Sequence, residues 1–341
     1  MMAQRRLGPF TVGAIGLGCM NLSHAYGQPP APAEAARLLL RALDLGVTHF
    51  DTAALYGFGA NEMLVGQVLA PYRQRVTLAS KCGMQGVAGP DGSKRRVIDG
   101  RPETLRQTCE DALRRLRTDV IDLYYLHRWD SNVPIEDSVG ALAGLVEEGK
   151  IRAIGLSEVS ALTLRRAHAV HPIAAVQSEY SPWTRHPELG VLEACREIGA
   201  SFVAFSPLGR GFLAGAIPDA RAMAALPSSD LRHAMPRFQR ENLAANLGWL
   251  PDYLALAREA GCTPAQLALA WLLQKAPHIV PIPGTTSIAH LEENLGAADL
   301  QLASGLVARL EACVNERTVS GARYSTASQA ESDTETYPSG L

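Results

Sequence analysis

The sequence lacks an excess of charge of either sign. Its 32 Lys and Arg against 34 Asp and Glu leave a formal charge of -2, so no nucleic-acid or anionic-membrane footprint is expected. Paired cysteines are missing too. The six cysteines lie at 19, 82, 109, 195, 262 and 313, and none stands at CxxC spacing, which argues against a zinc ribbon or a dithiol redox motif. No run of about eighteen apolar residues occurs, so no transmembrane helix is expected. The start, MMAQRRLGPF, breaks at Gly8-Pro9 before an apolar run develops. A cytoplasmic protein with reduced thiols is the expectation. No GxGxxG follows the first strand, since GAIGLG has the wrong spacing, and the Rossmann dinucleotide fingerprint is therefore absent.

What is present is a large apolar fraction, 47% of 341 residues, enough for one big barrel or two ordinary domains. The pattern decides between them. A short hairpin leads into AIGLGCM, read as a buried strand. PAEAARLLLRALDLG then places Ala35, Leu38, Leu39, Ala42 and Leu45 on one helical face, with Gly46 at the stop. VTHFD, VTLASK, IDLYYLH, IRAIGLS, IAAVQSE, SFVAFS and HIVPIP read as further strands, with helical segments between them. About eight strand–helix units imply a parallel sheet, and in a chain of this length a closed (β/α)8 barrel with an N-terminal β-hairpin. A single barrel over 1–317 and a polar tail over 318–341 are expected, the tail either disordered or folded over one end. Two long loops, 84–100 and about 206–240, follow strand ends and belong over the active face.

Three polar residues close apolar strands: Asp51 after VTHF, Lys81 after VTLAS and His127 after DLYYL. Strand ends of a barrel ring one mouth, and Tyr56 lies in the loop just beyond Asp51. A free phenol has a pKa of about 10, too high for efficient proton donation at neutral pH. A nearby ammonium lowers it, and a carboxylate keeps that ammonium charged. Asp51 would thus hold Lys81, Lys81 would tune Tyr56, Tyr56 would move the proton, and His127 would orient the same oxygen. Taken singly, these residues have plainer readings: a turn cap for Asp51, a surface or Schiff-base lysine for Lys81, a core histidine for His127. Together they make a proton site that lacks an electron source, which a cofactor must supply.

FDTAxxYGxGxNExLVG, the strand-end Lys81, YYLHR, IGLSE, VQSEYSPW, FSPLGRGFLAG and IPGTTSIAHLEEN, in this order, resemble the aldo-keto reductase superfamily, in particular its longer-chain bacterial and plant-like members. The resemblance runs to about Thr318. It implies NAD(P)(H) chemistry on a barrel without a metal, and a catalytic set of Asp51, Tyr56, Lys81 and His127. It further implies nicotinamide contacts at Ser157, Gln177 and Phe205, with Gly18, Cys19, Met20, Asp51 and Ser206 beside the cofactor. Leu208, Gly209, Arg210 and Gly211 fall where a loop crosses the pyrophosphate. Gly284, Thr285, Thr286 and His290 fall near the adenosine 2′-phosphate, and Glu293 and Asn294 near the adenine. Phe58, Trp129 and Trp183 are candidates for the substrate wall, with rim packing as their other reading. Arg95 and Arg96 are either solvated or face an anionic substrate. Cys19 and Cys82 are read as packing residues rather than nucleophiles.

Two departures stand out. Position 158 is Glu where many relatives have Asn. IPGTT stands where relatives often have a cation in place of Thr286, and a phosphate favours Arg or Lys. NADP(H) is still favoured, with NAD(H) the alternative. The expected reaction is reduction of an aldehyde, ketone or sugar-like carbonyl to the alcohol. The alternatives are an NAD-dependent alcohol or sugar dehydrogenase and a nucleotide-sensing regulatory subunit with little turnover. The partner is a small carbonyl or alcohol, and the sequence does not set the oligomeric state.

Overall fold

The computed structural model describes residues 2–23, 25–89 and 94–337. An antiparallel hairpin, β1 (Gln4–Leu7) and β2 (Phe10–Gly13), precedes eight parallel strands. In sheet order these are β3 (Leu17–Gly18), β4 (His49–Asp51), β5 (Thr77–Cys82), β8 (Ile121–Leu126), β9 (Ile151–Ser157), β10 (Ile173–Glu179), β11 (Ser201–Phe205) and β12 (Ile279–Pro281). The two ends of the sheet meet. Gly16 N–H donates to Pro281 O at 3.0 Å and Gly18 N–H to Pro283 O at 3.2 Å. The (β/α)8 barrel follows from these bonds.

Strand alternation sorts the core into two layers. Ala79, Leu123, Tyr125, Ala153, Ala175, Val203 and Val280 point inward, where Leu7 and Val12 of the hairpin join them. Ser201 Oγ accepts from Gly8 N–H and donates to Arg6 O, which fixes the hairpin where β11 begins. The hairpin thus plugs one end and leaves the strand C-termini for the site. Outward residues such as Leu78, Tyr124 and Leu126 pack under the helices.

The helices are α1 (Pro32–Asp44), α2 (Ala60–Leu69), α3 (Pro102–Leu116), α4 (Ile135–Glu147), α5 (Ala161–Val170), α6 (Val191–Ile198), α7 (Ala220–Ala224), α8 (Arg240–Glu259), α9 (Pro264–Lys275), α10 (Ile288–Gly296), α11 (Ser304–Cys313) and α12 (Thr326–Gln329). Of the expected apolar stripe of α1, Ala35, Leu38, Leu39 and Ala42 are buried, whereas Leu45 caps the helix half-buried and Leu43 takes its place inside; Gly46 takes φ +88° just past the end. None of the helices of the described residues is long and apolar enough to cross a membrane.

Two elements differ from expectation. The 84–100 segment is not an open loop: β6 (Met84–Ala88) and β7 (Lys94–Ile98) pair as an antiparallel hairpin, with 90–93 outside the described residues. Helix α11 was not expected; it packs on α8. The last stretch lies against the barrel mouth. Val159 bridges to Asp333, and Asp333 Oδ2 accepts from Ser160 N–H at 3.1 Å. Positions 338–341 of the expected tail lie outside the described residues.

Candidate active site

Asp51 ends β4, and its carbonyl accepts from Cys19 N–H at 2.8 Å. The chain then turns back through Gly57, Phe58 and Gly59, all at positive φ, and this turn returns Tyr56 to the mouth. Asn61 secures the turn. Its Oδ1 accepts from Thr52 Oγ1 at 2.6 Å and its Nδ2 donates to Cys19 O at 2.8 Å. Next to it, Glu62 is fully buried, accepting from Ser80 Oγ and paired with Arg115.

Lys81 is fully buried below Tyr56. Its ammonium donates to Asp51 Oδ1, to Thr52 O at 2.8 Å and to Tyr56 Oη at 3.2 Å. All three donors are used. Burial works to lower the ammonium's pKa, but Asp51 and Tyr56 override it and hold Lys81 above its ordinary value. Asp51 Oδ2 accepts from Gln177 Nε2 at 2.7 Å. Tyr56 departs from the sequence expectation. Burial pushes its phenol up; Lys81 opposes that, and Asp51 adds to it. The lysine charge is shared with Asp51, so the phenol stays protonated. His127 meets Tyr56 edge-on at 5.8 Å. Burial, with the charges of Lys81, Arg128 and Arg96, holds its imidazole well below the ordinary value and therefore neutral. Among the described residues its buried Nδ1 has no hydrogen-bond partner.

These groups open onto a cleft of about 650 Å³, a size typical of small-molecule sites. Asp51, Tyr56, His127, Ser157, Gln177, Phe205 and Ser206 line one part, with Gly18 and Met20. Leu208, Arg210 and Gly211 also line it, as do Gly284, Thr285, Thr286, His290, Glu293 and Asn294. This last segment includes the start of α10, where Ser287 Oγ accepts from His290 N–H. The lining cations are Arg96, Arg128, Arg210 and Arg232; none comes from the 284–294 segment.

Several expected residues sit elsewhere. Cys19 is fully buried, and burial pushes its thiol up, so it packs rather than lines. Gly209 is outside the lining because it abuts Trp183: a Cβ there would lie 2.7 Å from the indole. Trp183 is buried against Phe212 at 4.5 Å. Phe58 is turned outward over Gly86, with Lys94 above its ring. Trp129 donates to Val133 O at 2.9 Å and carries Arg166 on its face. All three aromatics therefore pack around the mouth instead of walling the cleft. Arg96 does line it, and is paired with Glu331 of the last stretch.

Reading the sequence missed two buried ion pairs. Glu179 accepts from Arg210 at 2.7 Å, so the guanidinium expected at the pyrophosphate already has a carboxylate. Glu158 accepts from Arg323 at 3.0 Å across 165 positions. Burial works to raise Glu158, and Arg323 and Arg128 override it to hold the carboxyl at about 2. Only the departure at 158 hinted at either pair.

Comparison with known proteins gives this arrangement a family. The sequence profile of the Aldo/keto reductase family matches residues 14–315. A soybean (Glycine max) protein described as probable aldo-keto reductase 1 is 45% identical over 316 residues, 92% of this chain and 89% of its own. A glycerol dehydrogenase from Gluconobacter oxydans superposes with a TM-score of 0.83 at 27% identity, over 91% of this chain and 94% of its own. An aldo-keto reductase from Klebsiella pneumoniae, solved in complex with NADPH, gives 0.70 at 28% identity, over 96% and 99%. A barrel whose mouth gathers these groups, matched by this profile along nearly its whole length, is a member of the aldo-keto reductase family of oxidoreductases.

Proposed function

We propose that the protein reduces aldehydes or ketones to alcohols with a nicotinamide cofactor, NADP(H) favoured, and that Tyr56 gives the proton. The observation that carries this is the buried chain Asp51–Lys81–Tyr56 ending at the cleft beside a neutral His127. The cleft suits a dinucleotide. It is tightly walled at the 284–294 segment, where a Cβ on Gly284 would come within 2.9 Å of Asn21 Oδ1 and 3.0 Å of Gly18 O. The N-terminus of α10, a helix of nine residues, favours anionic groups there. Ser157, Gln177 and Phe205 would hold the nicotinamide, Leu208 to Gly211 the pyrophosphate, and Thr285, Thr286 and His290 the 2′-phosphate.

When bound, the cofactor supplies the hydride. The protein supplies the rest. Tyr56 Oη accepts from Lys81, so its own hydrogen is available to the carbonyl oxygen. As that hydrogen leaves, the same ammonium stabilises the phenolate, which needs no reorganisation because Asp51 fixes Lys81 beforehand. Neutral His127 donates to the carbonyl oxygen and sets its direction. Gln177 spends its amide nitrogen on Asp51 and so ties the nicotinamide end to the proton site.

The uncharged Thr286 and the likeness to a glycerol dehydrogenase favour a second reading, an NAD-dependent dehydrogenase working toward oxidation. Titration of the purified protein with NADPH and NADH, followed by tryptophan fluorescence, separates the two. Tighter NADPH binding is expected. Thr286→Arg should widen that preference about tenfold, the value of a charge-assisted bond to phosphate. Tighter NADH binding would move the protein to the dehydrogenase reading, and binding of neither would remove the cofactor site. The six free cysteines suit a reducing compartment such as the cytoplasm.

A further inference from the structure

At the Tyr56 end of the cleft the charges nearly all cancel. Asp51 is paired with Lys81, and Arg96 with Glu331 at 2.5 Å. Glu158, whose carboxyl feels the Arg128 charge, is paired with Arg323. Arg128 is the exception: among the described residues no carboxylate lies within ion-pair distance of it. It is half-buried, two residues beyond β8, and lines the cleft beside His127 and Ser157. Its protein contacts are to neutral oxygens through one nitrogen, Nη1 to His127 O at 2.8 Å and to Ser157 Oγ at 3.3 Å. Among the described residues the Nε–H and Nη2–H edge has no acceptor. Two parallel N–H donors in a plane match a carboxylate. A half-buried cation without an ion-pair partner is costly, and an anionic ligand would offset that cost.

We infer that Arg128 is a carboxylate receptor and that the preferred substrates are carbonyl compounds carrying a carboxylate. This rests on the carbonyl-reductase reading above. Arg128 would seize the acid group while Tyr56 and His127 address the carbonyl of the same molecule. Leu55 and Met84, also in the lining, would cover the apolar stretch between the two ends. Arg96 already spends its Nη2 on both carboxylate oxygens of Glu331.

The test pairs two aldehydes of nearly equal shape, 4-formylbenzoate and its neutral amide, 4-formylbenzamide. The wild-type kcat/KM should favour the carboxylate about ten- to hundredfold, mainly through KM, as hydrogen bonds to a charged group allow. Arg128→Gln should collapse that ratio, and Arg128→Lys should restore part of it. Equal wild-type efficiency for the two aldehydes would overturn the inference and leave the reductase reading intact. A loss of NADPH affinity in Arg128→Gln as large as the loss for 4-formylbenzoate would also overturn it, by assigning Arg128 to the cofactor. Should neither aldehyde turn over, the reductase reading fails by itself, and benzoate against benzamide binding to the NADPH-saturated protein then decides. Tighter benzoate binding that Arg128→Gln abolishes supports the receptor; equal binding refutes it.

Discussion

Lys81 makes no contact with solvent, and its three hydrogen bonds reach Asp51, Thr52 and Tyr56, at the end of β4 and just beyond it. Its compensated position was legible because a lysine near the end of an apolar strand has to be compensated, and Asp51 and His127 stand at strand ends in the same way. The three aromatics were not legible in that way. A tryptophan just past a strand end can face the cleft or the packing behind it, and sequence position does not carry that direction. Nor could Glu158 be matched to Arg323, since their pairing depends on how the last stretch crosses the mouth. That pair supports a prediction. The folded carboxyl sits at about 2, below the ordinary 4.5, so its contribution to stability is complete above about pH 4.5 and is lost as pH falls toward 2. Arg323→Met leaves Glu158 buried without its ion-pair partner, at a cost of about 3–5 kcal/mol at neutral pH. The cost should shrink on acidification, because the stranded carboxyl takes up a proton and is then cheaper to bury. Thermal melts at pH 7 and pH 5 check this: the gap from wild type should narrow at the lower pH, and a constant gap would contradict the assignment.

At the scale of elements, the strand–helix alternation was legible because each unit repeats a short apolar run and an amphipathic stripe. The β6–β7 hairpin was hidden by its own composition. Glycines, a proline and basic residues crowd 84–100, and the pairing of Met84–Ala88 with Lys94–Ile98 gives no period-two signal. Helix α11 was missed because it lies beyond α10, the helix that completes the eighth strand–helix unit, where the repeating rule stops. Some contacts between elements leave a mark on single residues. Gly155 faces the barrel interior with Tyr125 2.3 Å from where a Cβ would sit. Gly66 lets α2 lie on the end of α3: a Cβ there would stand 2.5 Å from Arg115 O and 2.6 Å from the Leu116 backbone. Backbone cannot step aside as a flexible side chain can. Gly66→Ala is therefore expected to destabilise by about 1–3 kcal/mol even though alanine is the better helix former. Denaturant unfolding that shows equal or greater stability would refute the close approach.

For the whole molecule, the hairpin plug at one end and the crowded mouth at the other explain why the polar groups gather on a single face. The eight-unit count pointed to closure, but the bonds that make it, Gly16 and Gly18 to the last strand region, join positions more than 260 apart and have no local signature. Barrel closure brings β3 and the 284–294 segment onto one cleft that runs to Tyr56. The proposed function has this cleft seat a nicotinamide cofactor while Tyr56 protonates the carbonyl oxygen. Single-turnover stopped-flow of the NADPH-loaded protein with an aldehyde, wild type against Tyr56→Phe, addresses it most directly. Tyr56→Phe is expected to bind NADPH still but to oxidise it about 10²- to 10⁴-fold more slowly, the usual contribution of a positioned proton donor. Oxidation by Tyr56→Phe at close to the wild-type rate would remove Tyr56 as the proton donor.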